Sequence, residues 1–429
     1  MKILMAAQFY PPINGGEERH VRNLAVALFG RGHDVDVLTI APDQARAGTV
    51  IEDGIRVTRV VSSAQRLPML HSDAERPHSL PIADPAMRRA AGELMDSSSY
   101  DIVHAHNWIV GSVLDPAAER GIPAILTLHD YSHVCTTKRF IRDGRECAGP
   151  SFTGCTACAT KHHGAGGAVI AGLNRHGHKV RNRYVSEFLA VSSAVAERNG
   201  LADNTVPHQV IPNFIPDRIL ADVSAVAGPA GPDDPIVFVG DLSKDKGVDV
   251  LLAAYAQLED PPPLRLAGRF AGAQLDLPPG AAVLDELTHP EVLALMASAR
   301  CVVVPSVWPD PCPTVVLEAM AQARPVVAAA SGGIVDMVVD GQTGYLVEPG
   351  DVAGLARALT RVIDDPEAAH RLGVVGRAAV VAFTDARVVP LIESTYHRVV
   401  ALHHDDDQNS SVQGSALTGA MSRLALWSR

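Results

Sequence analysis

The chain has 429 residues, 47% of them apolar, and a formal net charge of −11. That length suits two domains of roughly 200 residues, and the acidic balance removes any global electrostatic reason to bind nucleic acid or an anionic membrane surface. No apolar run approaches the roughly 20 residues of a membrane-spanning helix. The opening MKILMAAQFYPP is not read as a signal peptide, because its apolar stretch is short and runs straight into Pro11-Pro12. A cytoplasmic protein is therefore expected, and in that compartment six cysteines point away from disulfides.

From the N-terminus, Ile3–Ala7 reads as a buried strand. The loop Gln8–Gly16 follows, and then Val21, Leu24, Ala25 and Leu28 repeat at helical spacing. Gly30 and Gly32 close that helix, and Asp34–Ile40 is the next strand. The turn at Gly15-Gly16 fits neither G-x-G-x-x-G nor G-x-x-x-x-G-K-[ST], which weakens dinucleotide and P-loop readings. Its glycines either let a ligand phosphate approach the backbone or simply make a tight turn. Asp34-Val35-Asp36 lies in an alternating strand and is read as structural rather than as a metal-binding Asp-x-Asp. Asp101–His106 and Ala124–His129 are further strands, each ending in histidine. Ligands of doubly wound sheets bind beyond the carboxyl ends of the strands. His106 and His129 are thus placed to meet a sugar, with hydrogen-bonded structural histidines as the other reading. Phe188–Ser192 and Gln209–Pro212 complete the strands of the first half.

A glycine-rich, irregular segment at about residues 131–165 carries Cys135, Cys147, Cys155 and Cys158, spaced C-x11-C-x7-C-x2-C. A tetrahedral thiolate zinc site that pins the segment stands level with free thiols, and a disulfide pair comes third. Following a histidine-ended strand, the segment is expected to overhang the cleft and select the acceptor. Arg175–Arg183 (RHGHKVRNR) is locally basic. A solvated helix face is favoured there over contact with a phosphorylated acceptor or a membrane surface.

Val223–Pro235 is rich in Ala, Gly and Pro and reads as a linker. The pattern then restarts with strand Ile236–Val239, turn Gly240–Gly247 and a helix with Val248, Leu251, Leu252 and Tyr255 on one face. Lys246 stands at that helix start as a point charge for a phosphate. Leu264–Ala267 is a strand ending at Gly268-Arg269, and Cys301–Val304 another, followed by the loop Trp308–Pro313. A helix from Thr314, the candidate N-cap, to about Ala323 leads to strand Val326–Ala329. The start of such a helix leaves unpaired N–H groups that favour a phosphate. Glu318, about one turn in, can accept from vicinal ribose hydroxyls, and Asp310 faces whatever the phosphates carry. The alternative is an ordinary βαβ unit with one solvated glutamate. Val352–Ile363, Ala368–Phe383 and Val388–His403 read as helices, and the polar remainder as disordered.

Together these stretches resemble the retaining glycosyltransferases of family 4, which have the GT-B fold. FYPPINGGEERHVRNLA, DIVHAHNW, LTLHDY, VIPNF, VGDLSKDKGVDVLL and PSVWPDPCPTVVLEAMAQARPVVA occur in the family's order and cover the chain to about His403. The cysteine-bearing segment resembles a subgroup of that family with four such cysteines. The resemblance implies an α/β architecture of two facing Rossmann-like, doubly wound domains, residues 1–215 and 236–384. A linker at 216–235 joins them, a helix at 385–403 crosses back to the first domain, and 404–429 form a tail. It also implies a nucleotide-diphosphate sugar donor held mainly by the second domain. Glu318 matches the second glutamate of the family's E-x7-E, which holds the ribose, and Asp310 the first, which meets the donor sugar. Lys246 matches the diphosphate lysine. Thr314, Val315 and Val316 would offer N–H groups, and Gly15 and Gly16 would lie near the donor phosphate. His129 would line the reaction centre, with Glu17, His106 and Asn107 on the acceptor side.

Three positions depart from the family pattern. Asp310 is one methylene shorter than glutamate. Asp241 stands where the family has a diphosphate-binding arginine. Like charges ~5 Å apart at an effective dielectric of ~20 repel by roughly 3 kcal/mol, so Asp241 must point away or be neutralised, and Arg269 or Lys244 would replace the arginine. Phe214 follows Asn213 where glycine is usual, which implies a stiffer hinge. The resemblance further implies front-face transfer with retention, from a UDP- or GDP-sugar to a hydroxyl of a surface glycan, lipid intermediate or natural product, with no cofactor for catalysis. Zinc at the four cysteines would be structural, and peripheral membrane contact stays open. A sugar-nucleotide epimerase or sugar phosphorylase is the alternative within the fold, and a metal- or redox-sensing binding module the alternative outside it.

Overall fold

Two separate sheets, each with its carboxyl edge turned to the other, organise the chain. The computed structural model describes residues 1–13, 15–66, 79–221, 228–270 and 275–424, with side chains described as far as Asp405. In the first half the strands are β1 (Lys2–Ala7), β2 (Asp34–Ile40), β3 (Gly48–Glu52), β4 (Ile55–Val60), β5 (Ile102–His106), β6 (Ala124–Leu128), β7 (Ile141–Arg142), β8 (Arg145–Glu146), β9 (Glu187–Ala190) and β10 (His208–Val210). Eight of them form one sheet in the order β10-β9-β6-β5-β1-β2-β4-β3, and β7 and β8 form a small ribbon of their own. Only β3 runs antiparallel within the large sheet, through the turn Asp53-Gly54, where both residues have positive φ as a tight hairpin requires.

The second half contributes β11 (Ile236–Val239), β12 (Leu264–Ala267), β13 (Ala281–Leu284), β14 (Cys301–Val304), β15 (Val326–Ala329) and β16 (Gly344–Val347). These form an all-parallel sheet in the order β13-β12-β11-β14-β15-β16. Central strands such as β5, β6, β14 and β15 are buried at every residue, because helices cover both faces of a parallel sheet. That explains why they stand out in the sequence as unbroken apolar runs. Register levels the strand ends: Ala7 pairs with Thr39 and His106, and His106 with Thr127, so the loops after β1, β5 and β6 leave from one edge.

The C-terminal helix crosses back as the resemblance implies. Ile215 N–H donates to Phe383 O at 3.0 Å and Asp385 N–H to Ile215 O at 3.1 Å, which marks the crossing point. Val388, Val389, Ile392, Tyr396 and Val399 then join the core formed by Ile3, Met5, Val21, Leu24 and Leu28. Arg398 forks onto Glu187 at 2.6 and 2.9 Å, and Arg31 and His33 both hold Glu393. The helix, Asp385–Leu424, passes His403, where the sequence reading ends it. The stretch 404–424, expected to be disordered, is thereby helical, since an anchored helix extends at little cost per residue; residues 425–429 lie outside the described residues. In the expected linker, Arg218–Ala221 is one helical turn and 222–227 lie outside the described residues.

Candidate active site

At the edge of the second sheet, Gly247 has a φ of +72° and approaches Pro305 so closely that a Cβ would stand 1.9 Å from its carbonyl oxygen. Only glycine permits that contact. It holds the turn before the helix Val248–Tyr255 against the end of β14 and brings Lys246 to Asp310, Nζ to Oδ2 at 2.7 Å. Ser306 Oγ donates to the same carboxylate oxygen at 3.0 Å, and Asp310 is buried. Lys246 Nζ also stands 5.3 Å from the centre of the Trp308 ring. Two residues read separately from sequence, one for a diphosphate and one for a sugar, thus form a single ion pair.

Arg269, just beyond β12, meets Asp241 at 3.3 Å, with both side chains partly exposed. This supplies the neutralisation that Asp241 requires, while Lys244 is exposed. The helix Thr314–Ala321 begins one residue earlier than a Thr314 N-cap implies: Pro313 is the N-cap and no side chain caps the end. Pro313 already has the extended backbone of an N-cap, so Thr314 becomes the first helical residue. Val316 N–H donates to Pro313 O at 3.1 Å, whereas Thr314 and Val315 occupy the first two positions at the positive end of the helix dipole. Glu318 is buried one turn further in. His289 Nε2 meets its Oε1 at 2.9 Å, and Arg19 Nη2 from the first domain comes within 4.0 Å. His289 carries no sequence signal beyond opening the helix His289–Ala297.

On the first domain, Gly15 has extended backbone and Gly16 begins the helix Gly16–Gly30. A Cβ on Gly16 would meet nothing within 4 Å, so packing does not require glycine there and the helix start keeps free space above it. Alternation along β5 puts His104 and His106 on one face, and a column of imidazoles results. Tyr396 Oη meets His104 Nδ1 at 2.7 Å, and His104 Nε2 meets Thr127 Oγ1 at 2.7 Å. The His104 and His106 rings lie 4.4 Å apart, and His106 Nδ1 meets His129 Nε2 at 2.9 Å. His20 stands edge-on to His129 at 5.1 Å and to Phe214 at 5.0 Å. Burial disfavours the charged ring in all four, taking His20 down to about 4, His104 to about 3, and His106 and His129 well below the usual histidine range. His129 is therefore a neutral hydrogen-bonding group near neutral pH, not a cation. His20 carries no sequence signal of its own, and His104 only the His-x-His spacing of β5, which signals a shared face.

Asn107, with φ +56°, ties this column to the helix start. Its Oδ1 accepts from His129 N–H at 3.1 Å and its Nδ2 donates to Glu17 Oε2 at 2.8 Å. Burial, then the charges of Glu18 and Asp130, push the Glu17 carboxyl up to about 8. Among the described residues, Glu17 Oε1, His129 Nδ1 and His106 Nε2 are buried without a hydrogen-bond partner, so unspent polar groups gather at this edge.

The two edges touch. Tyr131 Oη donates to Pro309 O at 2.5 Å, Arg139 Nη1 lies 2.6 Å from Asp245 Oδ2, Asn213 Nδ2 donates to Cys312 O at 3.0 Å, and Ser193 N–H donates to Asp336 Oδ2 at 2.7 Å. Phe214 is buried against His20 at this seam. Within the segment 131–165, all four cysteines are free. Among the described residues, no group of three or more His, Cys, Asp and Glu side chains is disposed as it stands to hold a metal ion. The basic stretch lies in the helix Gly167–Tyr184. Arg175, Lys179 and Arg183 are exposed, but Arg181 turns inward to His133 and Asn174, which corrects the reading of one wholly solvated face.

Residues 14–218 match the Glycosyltransferase Family 4 description and residues 224–378 the Glycosyl transferases group 1 description. The chain is 30% identical to the glycogen synthase of Mycobacterium tuberculosis (strain ATCC 25618 / H37Rv), over 86% of this chain and 88% of that protein. Among solved structures, sucrose-phosphate synthase from Thermosynechococcus elongatus superposes with a TM-score of 0.71 at 22% identity, covering 94% of this chain and 99% of that one. The Anabaena protein HepE in complex with UDP-glucose superposes at 0.67 with 20% identity, covering 93% and 100%.

Proposed function

This chain belongs to the Glycosyltransferase Family 4 and group 1 glycosyltransferases, and from that premise we propose how its cleft divides the work of sugar transfer. The enzyme moves a sugar from a nucleotide-diphosphate donor to a hydroxyl acceptor. In the proposed arrangement Glu318 holds the ribose hydroxyls, exchanging the contact with His289 for the nucleoside. Lys246, Arg269 and the start of the helix Thr314–Ala321 carry the charge of the leaving diphosphate, and Asp310 orients both Lys246 and the donor sugar. Gly15 and Gly16 give a phosphate room at the start of the helix Gly16–Gly30. His129, Asn107, His106 and Glu17 position the acceptor. The observation that carries this reading is the 2.7 Å Lys246–Asp310 pair on the same edge as buried Glu318, facing the imidazole column.

In this proposal the acceptor hydroxyl attacks on the face from which the diphosphate leaves, and a phosphate oxygen takes its proton, so configuration is retained. His129, neutral by burial, orients the reactants by hydrogen bonding. Catalysis rests on positioning and on charge stabilisation aimed at the departing phosphates. We place the enzyme in the cytoplasm, beside the nucleotide-sugar pools; no helix among the described residues is long and apolar enough to cross a membrane. UDP-glucose is the first donor to test, because the Anabaena neighbour binds it. A thermal-shift panel of UDP-, ADP-, GDP- and dTDP-sugars tests the reading, with stabilisation expected for at least one. Product analysis of the hit follows, alone, with phosphate and with hydroxyl acceptors, and NMR of the product gives the anomeric outcome. Failure of every nucleotide sugar to raise the melting temperature overturns the proposed donor site.

A further inference from the structure

The four cysteines take no part in the cleft chemistry, yet the fold gathers them. Cys135 lies on the loop beyond β6, Cys147 follows β8, and Cys155 and Cys158 sit one turn apart in the helix Phe152–His163. All four line one cavity of about 30 Å³, together with Thr136, Arg142 and Gly149. Such a volume admits only one or two water-sized species, the dimension of a single ion. The thiols make only weak contacts. Cys135 Sγ lies 3.3 Å from Thr137 Oγ1, Cys147 Sγ donates to Gly149 O at 3.4 Å, Ser151 N–H donates to Cys155 Sγ at 3.3 Å, and Cys158 Sγ donates to Ile141 O at 3.9 Å. Thiols are poor donors and acceptors, so turning the sulfurs from these neighbours into the shared cavity sacrifices little.

The segment also lacks other means of holding its shape. Its regular structure before the helix is the pair of two-residue strands β7 and β8. Between Lys138 and Phe152, Phe140 is the one buried apolar side chain. Lys138, Phe140 and Asp143 all have positive φ, a conformation that costs non-glycine residues energy. Apolar burial this sparse does not fix a loop of that length.

We propose that Cys135, Cys147, Cys155 and Cys158 bind one thiophilic divalent cation of the zinc class in a closed, four-thiolate structural site. The thiols lose their protons on ligation, the sulfurs swing from their present contacts to a common centre, and no coordination position remains for substrate. The site then acts at a distance on the cleft, because the pinned segment carries Arg139, which reaches Asp245 next to Lys246.

The test is metal content. The full chain, purified without chelator, is expected to hold about one zinc per molecule by plasma mass spectrometry, released when a mercurial reagent blocks the thiols. The C155S/C158S double variant is expected to retain less than a tenth of it. Zinc-free protein whose four thiols react at once with a disulfide reagent in the folded state overturns the proposal. So does a disulfide among these cysteines found by peptide mapping, or a variant that keeps the wild-type metal content. Because the wild-type stoichiometry and thiol reactivity decide the matter, a double variant that fails to fold does not shield the idea.

Discussion

Lys246 and Asp310 neutralise each other across 2.7 Å at the mouth of the cleft, and Asp310 is the buried partner. A buried carboxylate that loses its cation is left uncompensated, at a cost of about 3–5 kcal/mol. Lys246→Ala is therefore expected to lower the melting temperature as well as to reduce turnover at least tenfold, about 1.4 kcal/mol in the barrier. Adding Asp310→Asn should recover stability and leave turnover low. Steady-state kinetics and melting curves on both variants check this, and near-normal turnover in Lys246→Ala would remove the residue from its assigned role.

Glu318→Gln keeps the shape but removes the charge that meets His289 and Arg19. Donor KM should rise at least tenfold while acceptor KM changes little, and the nucleotide-induced thermal shift should shrink with it. A variant with wild-type donor affinity places the ribose elsewhere.

The imidazole column makes the fold sensitive to acid. His20 and His104 sit at about 4 and about 3 in the folded chain against an ordinary 6.5. Below pH 6.5 the unfolded chain binds protons that the native state refuses, so stability falls as pH drops through that window, by up to ~1.4 kcal/mol per pH unit for each such group. His104→Asn should flatten this acid limb even though it lowers stability at pH 7 by breaking the contacts to Tyr396 and Thr127. Melting curves from pH 4 to 7 decide; an unchanged limb in the variant excludes His104 as a contributor.

Glu17 acts with the opposite sign. Raised from 4.5 to about 8, its carboxyl holds a proton that the unfolded chain has already released, so it contributes stability that declines as pH rises between those values. Glu17→Gln should make stability nearly level between pH 6.5 and about 8, above the histidine window, and should steepen the acid limb below it. If the slope persists, another group causes it.

Arg139→Ala removes a cross-cleft ion pair whose two side chains are both partly exposed. Such pairs contribute about 0.2–1 kcal/mol, so the melting temperature should hardly move. Donor KM should increase by up to about fivefold, an effect that vanishes in wild-type comparison at high salt. A large loss of stability would mean that the contact holds the fold rather than the closed cleft.

The buried strands could be read from sequence because both faces of a parallel sheet are covered: Cys301–Val304 and Val326–Ala329 leave no polar residue to confuse the pattern. By contrast Gly48–Glu52 lies largely exposed at an edge, and Ala281–Leu284 is only half-buried at the other sheet's margin, so neither carries a strong signal. Of the site, Lys246, Asp310 and Glu318 were visible through spacing around helix starts. Their mutual contacts were not, because the 64-residue separation of Lys246 and Asp310 is closed by the pairing of β11 with β14, the meeting of Gly247 with Pro305 and the bonds from Val307 and Trp308 N–H to Asp245 O. His289 and Tyr396 reach the site from elements whose local sequence says nothing about what they will face.

The crossing helix has a consequence for how the enzyme is made. Val388, Val389, Ile392, Tyr396 and Val399 wall off the apolar face of Ile3, Met5, Val21 and Leu28, yet they are translated only after the entire second domain. At ~5–20 residues per second, a ribosome leaves that face of the N-terminal domain only partly covered, by the helix Gly16–Gly30, for roughly ten seconds or more. During that interval the oldest part of the chain is the least finished, and His104 has no tyrosine hydroxyl to meet. A nascent polypeptide halted before Asp385 is thus an aggregation hazard rather than half an enzyme.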